Sequence, residues 1–122
     1  MADLHPSDED LAVETTEVRG LSVTRVTGDV DVVGVDLIRA ELDAQLDRRP
    51  PALVADLSGV TVLGSLGITA LLETHHRAVA AGVPFTVVAS RRSVVQPLRL
   101  TEVDRLLKVV PTLDDVVTAR PS

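Results

Sequence analysis

The sequence predicts an α/β domain: a mixed sheet of four to five strands that starts with a β-hairpin and carries about four helices. Three observations predict it. With 122 residues the chain suits one compact domain rather than two. It holds 22 Val and 17 Leu against one Phe and no Trp or Tyr, so the core must be aliphatic, with β-branched residues favouring strands. One hairpin pattern is followed by repeated strand–helix patterns, which implies right-handed parallel crossovers after an antiparallel start.

The elements follow in order. Residues 1–10 carry Pro6 and the acids Asp3, Asp8, Glu9 and Asp10, and are expected to form a flexible acidic tail. Residues 11–18 and 21–27 are two strands joined at Arg19-Gly20, a join short enough to require an antiparallel hairpin. Residues 35–48 are the first helix, with Leu37, Ile38, Leu42, Leu46 and Val35 as candidates for its apolar stripe and Pro50-Pro51 as its stop. Residues 52–57 form a buried central strand, and Ser58-Gly59 is expected to open a loop. A second helix runs to Ala81, its stripe Ile68, Leu71, Leu72, His75 and Val79, with Gly82 as the C-terminal stop. Residues 85–89 are another buried strand, and 93–100 a helix distorted near Pro97. Val109-Val110 adds an edge strand, and Thr112 caps a last short helix with Asp114 and Asp115 in its first turn.

Composition narrows the function. The net charge is −6 with almost no aromatic residues, so neither a phosphate-binding basic face nor stacking platforms are expected, and nucleic acid is excluded as a partner. No apolar run approaches the ~18–20 residues that span a bilayer, so no membrane partner is expected. The acidic N-terminus is the reverse of a signal peptide. Zero Cys removes thiol catalysis and Cys-liganded zinc and fits a reducing cytoplasm. No cofactor is expected.

The chemically informative stretch runs from Asp56 to Ile68, from a buried strand to the start of a helix. Ligands and partners of open α/β sheets gather at such strand ends, where helix N-termini present unpaired N–H groups. Ser65 there reads locally as an N-cap, a role worth ~1 kcal/mol. Gly64 and Gly67 read as permitting a turn and close packing of helix on sheet. Leu63-Gly64-Ser65-Leu66-Gly67 lacks the G-x-S-x-G spacing of a nucleophile elbow. His75 and His76 sit roughly 15 Å along the helix from Ser65 and point about 100° apart, which suits neither a general base nor a shared metal. Asp29 and Asp31 could share a face of extended chain as a carboxylate pair or metal site, or could simply be a solvated loop. Asp56, Ser90 and Lys108 suggest a response-regulator receiver, but the opening hairpin departs from one.

Three stretches together resemble the STAS family, specifically the standalone anti-sigma factor antagonists. Thr27-Gly28-Asp29-Val30-Asp31 is similar to the family's T-G-E-L-D. Val54 to Val60 is similar to its central strand and following loop. Leu63-Gly64-Ser65-Leu66-Gly67-Ile68 is similar to the D-S-S-G-L segment whose first Ser is phosphorylated. The resemblance implies a single STAS-type domain over residues 11–119, with no catalytic or metal site. It implies Ser65 as the phosphoacceptor, and Asp29, Asp31, Gly64, Ser65, Leu66 and Gly67 as partner-binding positions. Gly64 replaces the usual Asp, and Leu66 the second Ser. The implied partners are an anti-sigma factor that is also a serine kinase and, transiently, a phosphoserine phosphatase, with the chain a monomer or weak homodimer and not an enzyme. The alternative is a STAS interaction module that is not phosphorylated, in a signalling assembly or as a small-ligand sensor.

Overall fold

A computed structural model describes residues 11–119; the expected tail at 1–10 lies outside the described residues. The first two strands, β1 (Ala12–Val18) and β2 (Leu21–Val30), pair antiparallel through a two-residue turn, with Val18 opposite Leu21. Arg19 and Gly20 both take positive φ, 51° and 85°, the conformation whose twist matches a tight hairpin. There follow α1 (Val32–Asp47), β3 (Leu53–Leu63), α2 (Ser65–Ala81), β4 (Phe85–Val88), α3 (Arg92–Leu100), a 3₁₀ turn (Val103–Arg105), β5 (Lys108–Val110) and α4 (Leu113–Ala119).

The five strands lie in the order β1-β2-β3-β4-β5, and every pair after the hairpin is parallel. Spatial order equal to chain order means that each crossover steps the same way. Right-handed crossovers then put α1, α2 and α3 on one face. Ile38, Leu42, Leu71, Val94 and Leu98 accordingly share one buried cluster with Val26, Ala55, Leu57 and Val87 of the sheet. The opposite face, with Leu21, Val23, Val54 and Val88, is covered by α4 through Val116. The core is aliphatic as its composition requires, and Phe85, the single aromatic, is buried in it.

Several boundaries differ from the sequence expectation. The central strand does not stop at Leu57: Ser58-Gly59 lies within β3, which runs on to Leu63. Gly59 is a strand glycine at a close approach, because a Cβ there would stand 2.6 Å from Thr27 Cγ2. The pairing passes from Arg25↔Asp56 to Thr27↔Gly59 and from Gly28↔Val60 to Asp29↔Val62, so β3 carries an extra residue at each shift. Gly28, at φ 95°, adopts the backbone that the second irregularity requires. The first helix begins at Val32, not Val35, because the Asp31 side chain accepts the Gly34 N–H at 2.7 Å and caps it.

Two stripe assignments also shift. Leu37 is exposed, and the buried face of α1 is Val35, Ile38, Leu42 and Leu46. On α2 the buried face is Gly67, Ile68, Ala70, Leu71, Thr74 and Ala78, while Val79 is exposed and Leu72 only partly buried. His75 is half-buried and His76 exposed. Gly82 ends α2 in the left-handed conformation as expected. At α4, Thr112 Oγ1 accepts the Asp115 N–H while Asp115 accepts the Thr112 N–H, a reciprocal capping box. Between the solvent-side edges of α1 and α2, Arg39 reaches Glu73 at 2.7 Å and Arg77 reaches Asp43 at 2.9 Å.

Leu42 is fully buried between α1 and the sheet. Truncating it to Ala should lower the stability measured by urea unfolding by about 2–5 kcal/mol, whereas Leu37→Ala on the exposed side should change it by less than about 0.5 kcal/mol.

Candidate functional site

Strand β3 ends at the buried Leu63, and the chain turns into α2 through two exposed residues, Gly64 and Ser65. Gly64 is the N-cap. Its φ of −92° and ψ of −177° are extended, and no side chain caps the helix. Ser65 is therefore not the cap that local propensity suggests; it is the first helical residue. Its carbonyl accepts the Thr69 hydroxyl at 3.0 Å, but its own hydroxyl has no hydrogen-bond partner among the described residues. The side chain is exposed at the end of a 17-residue helix where free N–H groups and the dipole present partial positive charge.

The two flanking glycines differ in what they do. A Cβ on Gly64 would meet nothing within 4 Å, so neither space nor backbone conformation demands glycine there. A Cβ on Gly67 would stand 2.5 Å from Leu63 Cδ1 and 3.1 Å from Val30 Cγ1. Gly67 is buried and lets the first turn of α2 sit directly on the ends of β2 and β3. Leu66 faces solvent, 45% exposed.

The register Asp29↔Val62 and Val30↔Leu63 places the end of β2 beside the start of α2. Asp29, Asp31 and the segment Gly64–Gly67 thus gather at one end of the sheet. The two aspartates do not act as a pair. Asp29, within the strand, accepts a hydrogen bond from the Thr61 hydroxyl, while Asp31 lies past the strand end and caps α1. Among the described residues no group of three His, Cys, Asp or Glu side chains could hold a metal. The rings of the neighbouring His75 and His76 lie edge to face, their centroids 5.4 Å apart.

The receiver arrangement is not formed. Asp56 is buried and its carboxylate is occupied: Oδ1 accepts the Ser58 N–H at 3.0 Å and the Ser58 hydroxyl at 2.6 Å, and Oδ2 faces Arg25 Nε at 3.5 Å. Lys108 pairs with Thr86 near the start of β4, whereas Ser90 follows that strand's far end.

Sequence reasoning missed Thr61 and Ser93. Besides bonding Asp29, Thr61 offers its carbonyl to the Ser93 hydroxyl at 2.6 Å, which fastens the start of α3 to the end of β3. Val32 and Val62, also at this end, are 69% and 53% exposed and add to Leu66 an apolar surface near Ser65. The bulges hid Val62, since each extra residue reverses the in–out alternation that sequence periodicity assumes. No helix among the described residues is long and apolar enough to cross a membrane.

The family model of the STAS domain matches residues 12–116. The anti-sigma-F factor antagonist RsfB of Mycobacterium tuberculosis is 28% identical over 110 residues, 90% of this chain and 89% of RsfB. An anti-sigma factor antagonist from Mycobacterium paratuberculosis has a crystal structure that superposes with a TM-score of 0.83 at 32% identity, over 93% of this chain and 96% of that one. The phosphorylated form of the Bacillus cell fate determinant SpoIIAA superposes with a TM-score of 0.67 at 13% identity, over 91% of this chain and 100% of that one, a likeness of fold alone.

The glycine geometry has a measurable consequence. Gly64→Asp should be accommodated and should raise stability by about 0.5–1 kcal/mol, by restoring a side-chain cap and stiffening the unfolded chain. Gly67→Val should lower it by about 1–3 kcal/mol, because the α2 turn must lift off Leu63 and Val30. Thermal or urea unfolding of the two variants checks both signs.

Proposed function

The chain belongs to the STAS domain family, and from that premise we propose that it is a cytoplasmic anti-sigma factor antagonist switched on Ser65. Unphosphorylated, it binds an anti-sigma factor of the serine-kinase type and so frees a sigma factor. Phosphorylation of Ser65 by that kinase ends the binding, and a phosphatase resets it. The chain is a substrate and a ligand in this scheme, not a catalyst, and acts as a monomer or weak homodimer.

The observation that carries the reading is the Ser65 side chain itself: exposed, first in its helix, and not engaged in capping. A serine with a structural duty there would bond the helix N–H groups; this hydroxyl is free to accept a phosphoryl group. Exposed Val32, Val62 and Leu66 supply apolar contact area at the same end, and Asp29 and Asp31 supply acceptors beside it. The RsfB and M. paratuberculosis relatives, both named as anti-sigma factor antagonists, support the partner class.

Magnitudes place the switch at the interface. A phosphoserine adds about −1.5 to −2 charge. At the first turn of α2 that charge meets the favourable end of the dipole, worth roughly 0.3–1 kcal/mol, so the fold should retain it. Phosphorylated SpoIIAA sharing this fold accords with that. Across a protein interface the same charge, unmatched, costs several kcal/mol, on the order of a 10²–10³-fold loss of affinity.

A second reading has specific support. Gly64 stands where the family's Asp precedes the phosphoacceptor and Leu66 where a second Ser stands, as expected of a STAS interaction module that is not phosphorylated. Incubation with ATP and the cognate anti-sigma factor, followed by mass spectrometry, separates the two: phosphate on Ser65 is the expected result, and none would favour the second. Ser65→Ala should keep partner binding. Ser65→Asp should weaken it with little change in thermal midpoint, and unaltered binding by that variant would contradict the switch.

A further inference from the structure

Helix α3 carries a charge opposite to that of the chain. The net charge is −6, yet residues 74–101 contain no acid. Within them Arg91, Arg92 and Arg99 are exposed on and just before α3. The arginines of α1 and α2 that face each other's helix are paired with carboxylates, Arg39 with Glu73 and Arg77 with Asp43. Those of α3 are not. Among the described residues Arg92 bonds Gln96, at 3.1 Å, and none of the three has an ion pair.

Two of these cations, Arg92 (which Arg91 precedes in sequence) and Arg99, line a groove of about 350 Å³ with Ser90, Val95, Gln96 and Leu100. It continues into a second cavity of about 370 Å³ that shares Ser90, Val95 and Arg99, with Val109 and Val110 of β5 in its wall and Asp104 as its acidic residue. Apolar surface therefore lies beside unpaired positive charge, and Leu100 is 73% exposed there. Ser90 in its wall follows the end of β4, and β4 runs parallel to β3, whose end leads to Ser65. Ser93, in the first turn of α3, donates to the Thr61 carbonyl, and Thr61 lies near the end of β3, the strand that leads to Ser65.

We propose that this groove docks an acidic segment of the partner protein, carrying at least one apolar side chain that packs against Val95 and Leu100. The inference rests on the anti-sigma factor reading above and extends the contact surface from Ser65 onto α3. Charge complementarity selects the occupant: three guanidinium groups with no ion pair among the described residues, beside aliphatic surface and without aromatic platforms, suit carboxylates on a peptide rather than stacked bases. Three arginines close together on an acid-free stretch steer an acidic partner toward α3, against the net charge of −6 carried by the whole chain.

The test is binding of the full chain to its cognate anti-sigma factor on a biosensor, at about 50 and about 300 mM salt. Arg91→Glu/Arg92→Glu/Arg99→Glu should bind at least about ten-fold more weakly, chiefly through a slower association rate, and should lose most of the salt dependence of the wild type. Wild-type affinity in the triple variant, in a series where Ser65→Asp does lose binding, refutes the groove and leaves the Ser65 reading standing. A wild-type chain that does not bind the anti-sigma factor refutes that reading instead. Deleting residues 1–10 tests the chain's own acidic N-terminus as the occupant. If the deletion tightens wild-type binding but not that of the triple variant, the groove belongs to this segment and the proposal falls.

Discussion

The parallel pairing of β2 with β3 is the constraint on which the rest of the molecule depends. Without its two register shifts, Asp29 would not lie opposite Val62, nor Val30 opposite Leu63. The end of β2 would then miss the start of α2. Each shift is made possible by a small residue: Gly59, where the Thr27 methyl leaves no room for a Cβ, and Gly28, whose φ of 95° strains any other side chain. With two extra residues in β3 the two strands end level, Val30 opposite Leu63. The chain leaves the sheet there, with Gly64 and Ser65 exposed and Leu63 buried behind them.

From that register the local chemistry follows. Gly67 seats α2 on Val30 and Leu63, so the helix N-terminus is rigidly placed even though its cap, Gly64, contributes no side chain. Asp31 performs for α1 what Gly64 does not do for α2, holding the Gly34 N–H with its carboxylate. Two helices thus begin side by side at one end of the sheet, one neutralised by its own aspartate and one open. Ser65 is on the open one. A third helix start is tied in by the Ser93–Thr61 hydrogen bond, which joins the first turn of α3 to the strand that leads to Ser65. Local order of this kind favours a switch that changes the chemistry of a surface over one that changes the shape of the domain.

Much of this was legible in the sequence, and the parts that were not share a cause. Arg19-Gly20, Gly82 and the aliphatic runs are local signals, and the hairpin, the end of α2 and the buried strands stand where those signals put them. Ser58-Gly59 carries an equally local turn signal, but pairing with β2 overrides it, because a central strand can take a glycine where its neighbour presses close. Leu37 and Val79 are apolar residues one step out of phase, which a 3.6-residue period cannot resolve without knowing where the helix lies on the sheet. Motif order singled out Asp29 to Asp31 with Gly64 to Gly67 as candidate residues. How they are arranged was not legible: Thr61 bonds residues 32 positions away in both directions, and no local pattern encodes such contacts. For the same reason Ser65, by propensity a cap, stands one residue past the cap.

The central claim is that phosphate on Ser65 is accepted by the fold and refused by the partner. The most direct measurement takes chain phosphorylated stoichiometrically on Ser65 and determines, on the same preparation, its thermal midpoint and its affinity for the cognate anti-sigma factor. The account predicts a midpoint within about 4 °C of the unmodified chain and a dissociation constant raised on the order of 10²–10³-fold. Loss of cooperative unfolding, or binding that survives the phosphate, would contradict it.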